Sequence, residues 1–169
     1  MSNFLIRKAS TDDTDALARL AKQTFLDAFE RLNDPKSIRA YVRKAFSPAQ
    51  MSKELLDDSS TFFVAEKDNK LIAYAKVRST VVPHCVESAK ATELERIYVE
   101  QRFLGTGIGR MLLDAATDAA RTAEHDVLWL GVWEDNPDAV AFYERCGFET
   151  VGTKVFMMGP EEQRDLVMR

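Results

Sequence analysis

The sequence has little of what marks secreted, metal-binding or membrane-spanning proteins. Its 169 residues include two cysteines and two histidines. Cys85 and Cys146 are too few for a disulfide framework, and neither lies in a spacing typical of metal ligands. No stretch approaches the ~20 consecutive apolar residues of a transmembrane helix, and Met1-Ser2-Asn3-Phe4 lacks the basic and apolar regions of a secretory signal. We therefore expect a cytoplasmic protein that holds no metal and does not enter a membrane.

Excess positive charge is also absent. The formal net charge is −4, whereas proteins that bind nucleic acids neutralise phosphates with lysine and arginine. We therefore expect no direct nucleic-acid partner, and the charge is compatible with a cationic substrate. The chain has neither an internal repeat nor a low-complexity linker, and 46 % of its residues are hydrophobic. These features predict one domain over residues 1–169, large enough to bury a full core.

Apolar alternation and helical spacing predict strands and helices along the whole chain. Their order is β-α-α(α)-β-β-β-α-β-α-β-β. The predicted elements are a strand at Leu5–Ala9, a helix capped at Thr11, helices that begin at Pro35 and Pro48, strands at Thr61–Glu66, Leu71–Arg78 and Glu93–Val99, a helix from Ile108, a strand at Val127–Trp133, a helix at Asn136–Cys146, and strands near Glu149–Met158 and Asp165–Met168.

A glycine-spaced turn joins the strand that ends at Val99 to a long amphipathic helix. Gly105, Gly107 and Gly109 stand at alternate positions, where they let the backbone approach a ligand and adopt positive φ. The first N–H groups of the helix then point outward with the positive end of its dipole, which suits a diphosphate. The alternative is a tight turn that binds nothing. The spacing excludes the common nucleotide-hydrolysing loop, since no Lys-Ser/Thr pair follows, and it is not the dinucleotide frame.

Two motifs together resemble the acetyl-coenzyme A signature of the GCN5-related N-acetyltransferases, or GNAT enzymes. The first is R-x-x-G-x-G at Arg102, Gly105 and Gly107. The second is Asn136-Pro137-Asp138-Ala139 followed by Phe142-Tyr143 and then Gly147-Phe148. The resemblance implies an α/β fold in which helices flank a mixed, mostly antiparallel sheet of about seven strands, with a splayed pair of central parallel strands. It also implies acetyl-coenzyme A (acetyl-CoA) as co-substrate, without a metal.

The resemblance also implies how the chain would hold coenzyme A. Main-chain N–H groups of the glycine turn would bind the diphosphate, and the pantetheine arm would lie between Leu94–Val99 and Val127–Trp133, as an added strand lies against a sheet edge. Arg102 and Arg110 either add charge or are solvated, and Asn136 either bonds the arm, caps its helix, or does both. The residues expected to bind the co-substrate are Ile97, Tyr98, Val99, Arg102, Gly105, Thr106, Gly107, Ile108, Gly109, Arg110 and Asn136.

Tyr143 is the residue that the resemblance marks for acid chemistry. The departing thiolate has a pKa of about 8.5, and a phenol with a pKa near 10 can protonate it or stabilise it by hydrogen bonding. Taken without the family match, an aromatic residue at this helical spacing indicates core packing alone.

The acceptor nitrogen needs a proton acceptor, because an alkylammonium has a pKa of ~10.4. We expect Glu95 to serve, directly or through water, since it shares strand parity with Ile97 and Val99. Glu93 is the alternative, and a solvated or salt-bridged glutamate is the structural explanation for either. Neither His84 nor His125 is well placed, and no Cys-His-acid arrangement is found for a covalent acetyl-enzyme. Direct attack within a ternary complex is therefore expected.

Further segments resemble the PaiA-type polyamine acetyltransferases over essentially the whole chain. They are Thr24–Phe29, Glu95–Val99, Trp129–Glu134 and Phe156–Met168. The resemblance implies spermidine or spermine as the acceptor, with Asp27, Glu30 and Asp34 as acids that either face the acceptor or are solvated. The alternatives are a protein N-terminus, a lysine or another small amine, and, from another class, a regulatory module that senses acetyl-CoA without turnover. A homodimer is possible.

Overall fold

The structure is a computed structural model that describes residues 4–169. Over this range the chain folds into seven strands and five α-helices, in the predicted order. They are β1 (Leu5–Lys8), α1 (Thr14–Phe29), α2 (Pro35–Ala45), α3 (Pro48–Leu55), β2 (Ser60–Lys67), β3 (Lys70–Arg78), β4 (Ala91–Val99), α4 (Ile108–Thr122), β5 (Val127–Trp133), α5 (Pro137–Arg145), β6 (Thr150–Met158) and β7 (Glu161–Met168). Among the described helices, none is both long and apolar enough to cross a membrane.

The helix starts follow local side-chain chemistry. Asp34 and Ser47 cap α2 and α3, because their side chains accept hydrogen bonds from the backbone N–H of Ser37 at 2.8 Å and of Gln50 at 3.1 Å. A proline follows each cap, where its missing N–H costs nothing. The predicted cap at Thr11 is wrong by one residue. Ser10 precedes a short 3₁₀ turn, and its backbone N–H donates to the Asp13 carboxylate at 2.8 Å.

The seven strands form one sheet in the order β1-β2-β3-β4-β5-β7-β6. Only β4 and β5 pair in parallel, and they do so over three residue pairs that end at Glu93 and Trp129. Beyond that point β5 pairs with β7, and the rest of β4 pairs only with β3. The predicted mixed sheet with a splayed central parallel pair is therefore confirmed, and the splay opens a fork in the middle of the sheet.

Side chains of alternate strand residues build a core on each face of the sheet. Phe63, Ala65 and Ala75 pack with α4 and α5 on one face. Phe62, Val64 and Tyr74 pack with α1, α2 and α3 on the other. The fork therefore lies between two packed layers.

The last two strands form a hairpin that is longer than predicted. β7 begins at Glu161 rather than at Asp165, because Gly159 adopts a φ of 61° in a two-residue turn that pairs Met158 with Glu161. The pairing continues to the end of β7 and places Gln163 and Asp165 in mid-strand, beside β6.

Candidate active site

A cleft opens at the fork between β4 and β5. It encloses about 1020 Å³ of space, part of it open to solvent. Strands β3 to β7 form its floor, helices α1 and α2 form one wall, and α5 closes one end. Its charged lining residues are three acids and three bases, Glu93, Glu95, Asp165, Arg78, Arg96 and Lys154.

The glycine turn leads directly into the first turn of α4. Gly105 and Gly107 have φ values of 75° and 89°, and a Cβ on either would meet nothing within 4 Å, so backbone conformation rather than crowding requires glycine. The first helical hydrogen bond runs from the N–H of Met111 to the carbonyl of Gly107, at 3.1 Å. Within the described residues, the backbone N–H groups of Gly105, Gly107 and 108–110 have no partner. This turn therefore presents a row of free donors that suits an anion.

Polar side chains around the turn are mostly exposed and locally paired. Arg102 bonds Glu100 at 2.7 Å with its side chain 66 % exposed, and Arg110 bonds Asp114 at 2.9 Å. Thr106 donates its hydroxyl to the carbonyl of Phe103 at 2.6 Å. Ile108 is fully buried and anchors the start of α4 in the core. The turn is thus held by its own contacts, and both guanidinium groups remain close to it.

The β4 edge that faces β5 has no strand partner beyond Glu93. Ile97 and Val99 pack with the α4 core, and Tyr98 points to the opposite face, where its ring lies 6.1 Å from that of Phe25. Gly109 lies next to this edge, since a Cβ there would contact Phe142 and Val99. The open edge can therefore pair with an extended, amide-bearing ligand.

Three residues of the α5 segment line the cleft: Asn136, Ala139 and Tyr143. Asn136 caps α5 by accepting a hydrogen bond from the N–H of Ala139 at 3.3 Å. The Tyr143 ring is buried edge-on between Phe142 and Phe148, with ring centroids 5.2 and 5.8 Å away. Burial raises the pKa of the Tyr143 phenol above its usual value, with a further contribution from Cys146. Tyr143 is therefore a protonated donor at neutral pH.

Glu95 lies at a β-bulge, which overturns the parity argument that selected it. The β3–β4 register passes from Lys76 opposite Arg96 to Val77 opposite Leu94 and leaves Glu95 without a partner residue. Its side chain therefore lies in the cleft, whereas Ile97 and Val99 face the α4 core. Its oxygens contact Lys76 Nζ at 2.6 Å and Arg78 Nη1 at 2.9 Å. Any substrate ammonium must compete with these two cations.

Glu93 is also paired. One of its oxygens lies 2.6 Å from Arg78 Nε, and the other lies 3.5 Å from Lys154 Nζ. The Lys154 chain crosses over Gly131 of β5 to reach it, and a Cβ at Gly131 would lie 3.1 Å from the ammonium. Glycine at this position therefore makes room for the ion pair on the cleft floor.

The family model described as Acetyltransferase (GNAT) family matches residues 15–148. The chain belongs to the GNAT acetyltransferase family. It is thus an enzyme, an N-acetyltransferase whose acetyl donor is acetyl-CoA, which favours catalysis over the predicted alternative of a sensor without turnover. Within residues 4–169 no group of three or more His, Cys, Asp or Glu could hold a metal ion.

Several similar proteins match this GNAT enzyme over nearly its whole length, but their names do not indicate a common substrate. It is 27 % identical over 169 residues, all of this chain and 98 % of the other, to an uncharacterized N-acetyltransferase of Lactobacillus delbrueckii subsp. lactis. Its fold is similar to the PaiA N-acetyltransferase of Thermoplasma acidophilum in complex with coenzyme A, with a TM-score of 0.78, 21 % identity, and 98 % and 97 % of the two chains covered. It is also similar to a ribosomal-protein-alanine N-acetyltransferase of Brucella melitensis, with a TM-score of 0.68, 24 % identity and 97 % of both chains covered.

The fold brings several of the sequence-predicted residues of the GNAT enzyme to one cleft. Glu95, Ile97, Tyr98, Asn136 and Tyr143 line it. The predicted residues of the glycine turn lie at the start of α4 and do not line the cleft. The three acids predicted as possible acceptor contacts do not line it: Asp27, Glu30 and Asp34 are exposed.

Sequence reasoning missed one wall of the cleft and, apart from Glu93 and Glu95, its charged floor. The wall is aromatic and consists of Phe25, Phe29, Tyr41, Phe46, Trp133 and Phe156. The floor includes Asp165, whose pKa burial raises to about 6, although Lys154 opposes this effect and Glu93 adds to it. One signal was present in the sequence: Asp165 directly precedes the apolar run Leu166–Met168 of a terminal strand.

Proposed function

We propose that this GNAT enzyme acetylates a primary amine by direct attack within a ternary complex. The observation that carries the proposal is the set of free backbone N–H groups at Gly105, Gly107 and residues 108–110, next to an unpaired edge of β4. The thioester of acetyl-CoA supplies the activated acetyl group. The chain supplies binding, orientation and proton transfer. No cysteine needs to carry the acetyl group.

The donor end binds by main chain. The N–H groups of Gly105, Gly107 and 108–110 hold the diphosphate, and each charge-assisted hydrogen bond contributes ~1.5–3 kcal/mol. The helix dipole adds roughly 0.3–1 kcal/mol. Thr106 lies within the turn, Arg102 and Arg110 add charge at its rim, and the backbone of Ile97, Tyr98 and Val99 together with Asn136 orients the arm. The turn thus dominates affinity for the donor.

Tyr143 acts as the general acid. Its hydroxyl has no partner among the described residues, and its raised pKa keeps the proton in place until the leaving sulfur becomes anionic. The sequence predicts Glu95 as the proton acceptor. It lines the cleft, but its two oxygens are engaged by Lys76 and Arg78.

We propose a polyamine such as spermidine or spermine as the acceptor. The resemblance of the sequence to PaiA-type enzymes supports this, and so does the aromatic wall, because aromatic faces attract alkylammonium groups. A second candidate is a small monoamine with an apolar body. The three bases among the charged lining residues favour it, since they match the three acids and leave little net attraction for a polycation.

An acceptor panel tests the function. The enzyme is incubated with acetyl-CoA and spermidine, spermine, an N-terminal alanyl peptide, a lysine peptide or apolar monoamines, and thiol release is followed together with the mass of each acceptor. We expect the highest kcat/KM with spermidine or spermine. Turnover of monoamines alone selects the second candidate, turnover of peptides alone rejects both, and no turnover with any amine rejects the function. A homodimer, a cytoplasmic location and one domain over residues 1–169 stay predictions.

A further inference from the structure

The Asp165 carboxyl is unpaired and directed into the cleft. Asp165 is only 7 % exposed and lines the cleft from the middle of β7. Within residues 4–169 it makes no hydrogen bond or ion pair, because the nearby Lys154 ammonium pairs with Glu93 instead. A largely enclosed carboxyl that opens only into the cleft and has no protein partner is available to a ligand group there.

The carboxyl stands over the fork. A Cβ at Gly131 would lie 3.2 Å from Asp165 Oδ2, and Gly131 follows two residues after Trp129, where β4 and β5 part. Asp165 shares this face of the sheet with its cross-strand neighbours Trp133 and Lys154. Any acceptor nitrogen that reaches the fork from the aromatic wall therefore meets this carboxyl.

The two other acids of the cleft lack this freedom. Glu95 contacts Lys76 and Arg78 through its two oxygens, and Glu93 contacts Arg78 and Lys154. An ammonium that binds either of them displaces an existing cation. An ammonium that binds Asp165 displaces none.

We propose that Asp165 binds the acceptor ammonium and takes its proton, so that a neutral amine attacks the thioester. The inference rests on the proposed amine acetyltransferase function and adds a catalytic residue to it. The ammonium gives one proton to the Asp165 carboxylate, and its nitrogen forms a bond to the thioester carbonyl carbon. The carbon–sulfur bond breaks with its electron pair on sulfur, which takes the Tyr143 proton. Tyr143 regains a proton from the attached nitrogen, and Asp165 releases its own to solvent.

The surroundings of Asp165 suit a base that works near neutral pH. The charged groups that face it are Lys154 of β6 and Glu93 of β4, with Arg78 of β3 behind Glu93. β5 contributes Gly131 and Trp133, which carry no titratable group. Among the lining residues of α1, α2 and α5, the titratable groups are the phenols of Tyr41 and Tyr143. With its pKa raised to about 6, the carboxylate is ionised at pH 7 yet holds a proton about a hundredfold more tightly than an ordinary aspartate.

The test compares Asp165→Asn with the wild type on the best amine of the panel from pH 5 to 9. Acetyl-CoA affinity is measured on both proteins to show that the variant is folded. We expect kcat to fall about 100-fold. In the pH profile of kcat/KM, the limb that rises near pH 6 should be lost. The dissociation constant for acetyl-CoA should not change. A second acceptor, an amine largely unprotonated at pH 7, should show a much smaller defect because it needs no base. Glu95→Gln, measured alongside, should keep the limb.

Each outcome decides the inference. A limb that persists in Asp165→Asn overturns it, and so does an equal loss with both acceptors, which indicates a structural role. Failure of the wild type with every amine rejects the proposed function instead. If Asp165→Asn does not bind acetyl-CoA, Lys154→Met decides: removal of this cation should move the limb to higher pH, and an unmoved limb overturns the inference.

Discussion

The proposed site has two ends that are built in opposite ways. The proposed donor end, at the glycine turn beside the cleft, consists of backbone N–H groups from one continuous turn, and its conformation depends on two glycines with positive φ. The proposed acceptor end is the cleft itself, where side chains from β4, β6, β7, α1 and α2 converge from distant parts of the chain. The donor end is therefore suited to one constant ligand, whereas substitutions at the acceptor end can change the substrate and leave donor binding intact. The fold itself is common to a PaiA enzyme and to a ribosomal-protein-alanine acetyltransferase.

The largest effect is expected at Tyr143, where the two ends meet. Tyr143→Phe should lower kcat by roughly 10²–10³-fold, because the leaving sulfur loses its proton donor, and acetyl-CoA affinity should stay the same because the ring packing is kept. Steady-state kinetics and ligand titration measure both. Tyr74→Phe is the matched control, since its fully buried hydroxyl is also unpaired but lies outside the cleft lining. Full activity of Tyr143→Phe would remove the phenol from the mechanism.

The buried Asp165 should lower the free energy of unfolding at neutral and higher pH. Its pKa is near 3.8 when unfolded and about 6 when folded, so the unfolded chain ionises first as pH rises, and stability falls between these values. Asp165→Asn should therefore unfold at higher urea concentration than the wild type at pH 8. Its free energy of unfolding should be larger by about 2 kcal/mol, and this difference should disappear toward pH 4. Glu93→Gln should do the opposite, because it removes the carboxylate that pairs with Arg78 Nε at 2.6 Å and leaves Arg78 with Glu95 alone. Equal stabilities of Asp165→Asn and the wild type at pH 8 would show that burial of the Asp165 carboxylate does not destabilise the fold.

Acetyl-CoA affinity at the donor end should depend more on backbone conformation than on side-chain charge. Gly107→Ala places a Cβ on a residue with φ of 89°, which costs about 1–2 kcal/mol and should weaken acetyl-CoA binding about tenfold. Gly159→Ala is the control, since its φ of 61° lies in the β6–β7 turn, and it should lower stability without changing donor affinity. If both variants bind acetyl-CoA equally, the turn does not hold the donor.

The smallest effect is expected at Arg102. Its side chain is 66 % exposed and already paired with Glu100, so Arg102→Gln should raise the KM for acetyl-CoA only about two- to threefold at low salt. The effect should vanish near ~0.5 M salt, where exposed charges are screened. A large loss that salt does not change would show that Arg102 binds the donor directly and would blur the division between the two ends.

The same division explains what the sequence could predict. The glycine turn was predictable because strand, turn and helix follow one another in the sequence, and glycine favours positive φ. The positions of Glu95 and Asp165 were not, because one depends on a bulge that shifts the register of β4 and the other on a turn that lengthens β7. Neither event changes the hydrophobic pattern of its own strand enough to be seen, and the aromatic wall depends on how α1 and α2 pack across the sheet.

A crystal structure of the enzyme with coenzyme A and its best amine acceptor tests the central claim most directly. We predict phosphate oxygens within ~3 Å of the backbone nitrogens of residues 107–110, the usual hydrogen-bond distance, and the acceptor nitrogen beside the Asp165 carboxyl. A diphosphate bound away from this turn would contradict the account, whatever the activity of the variants.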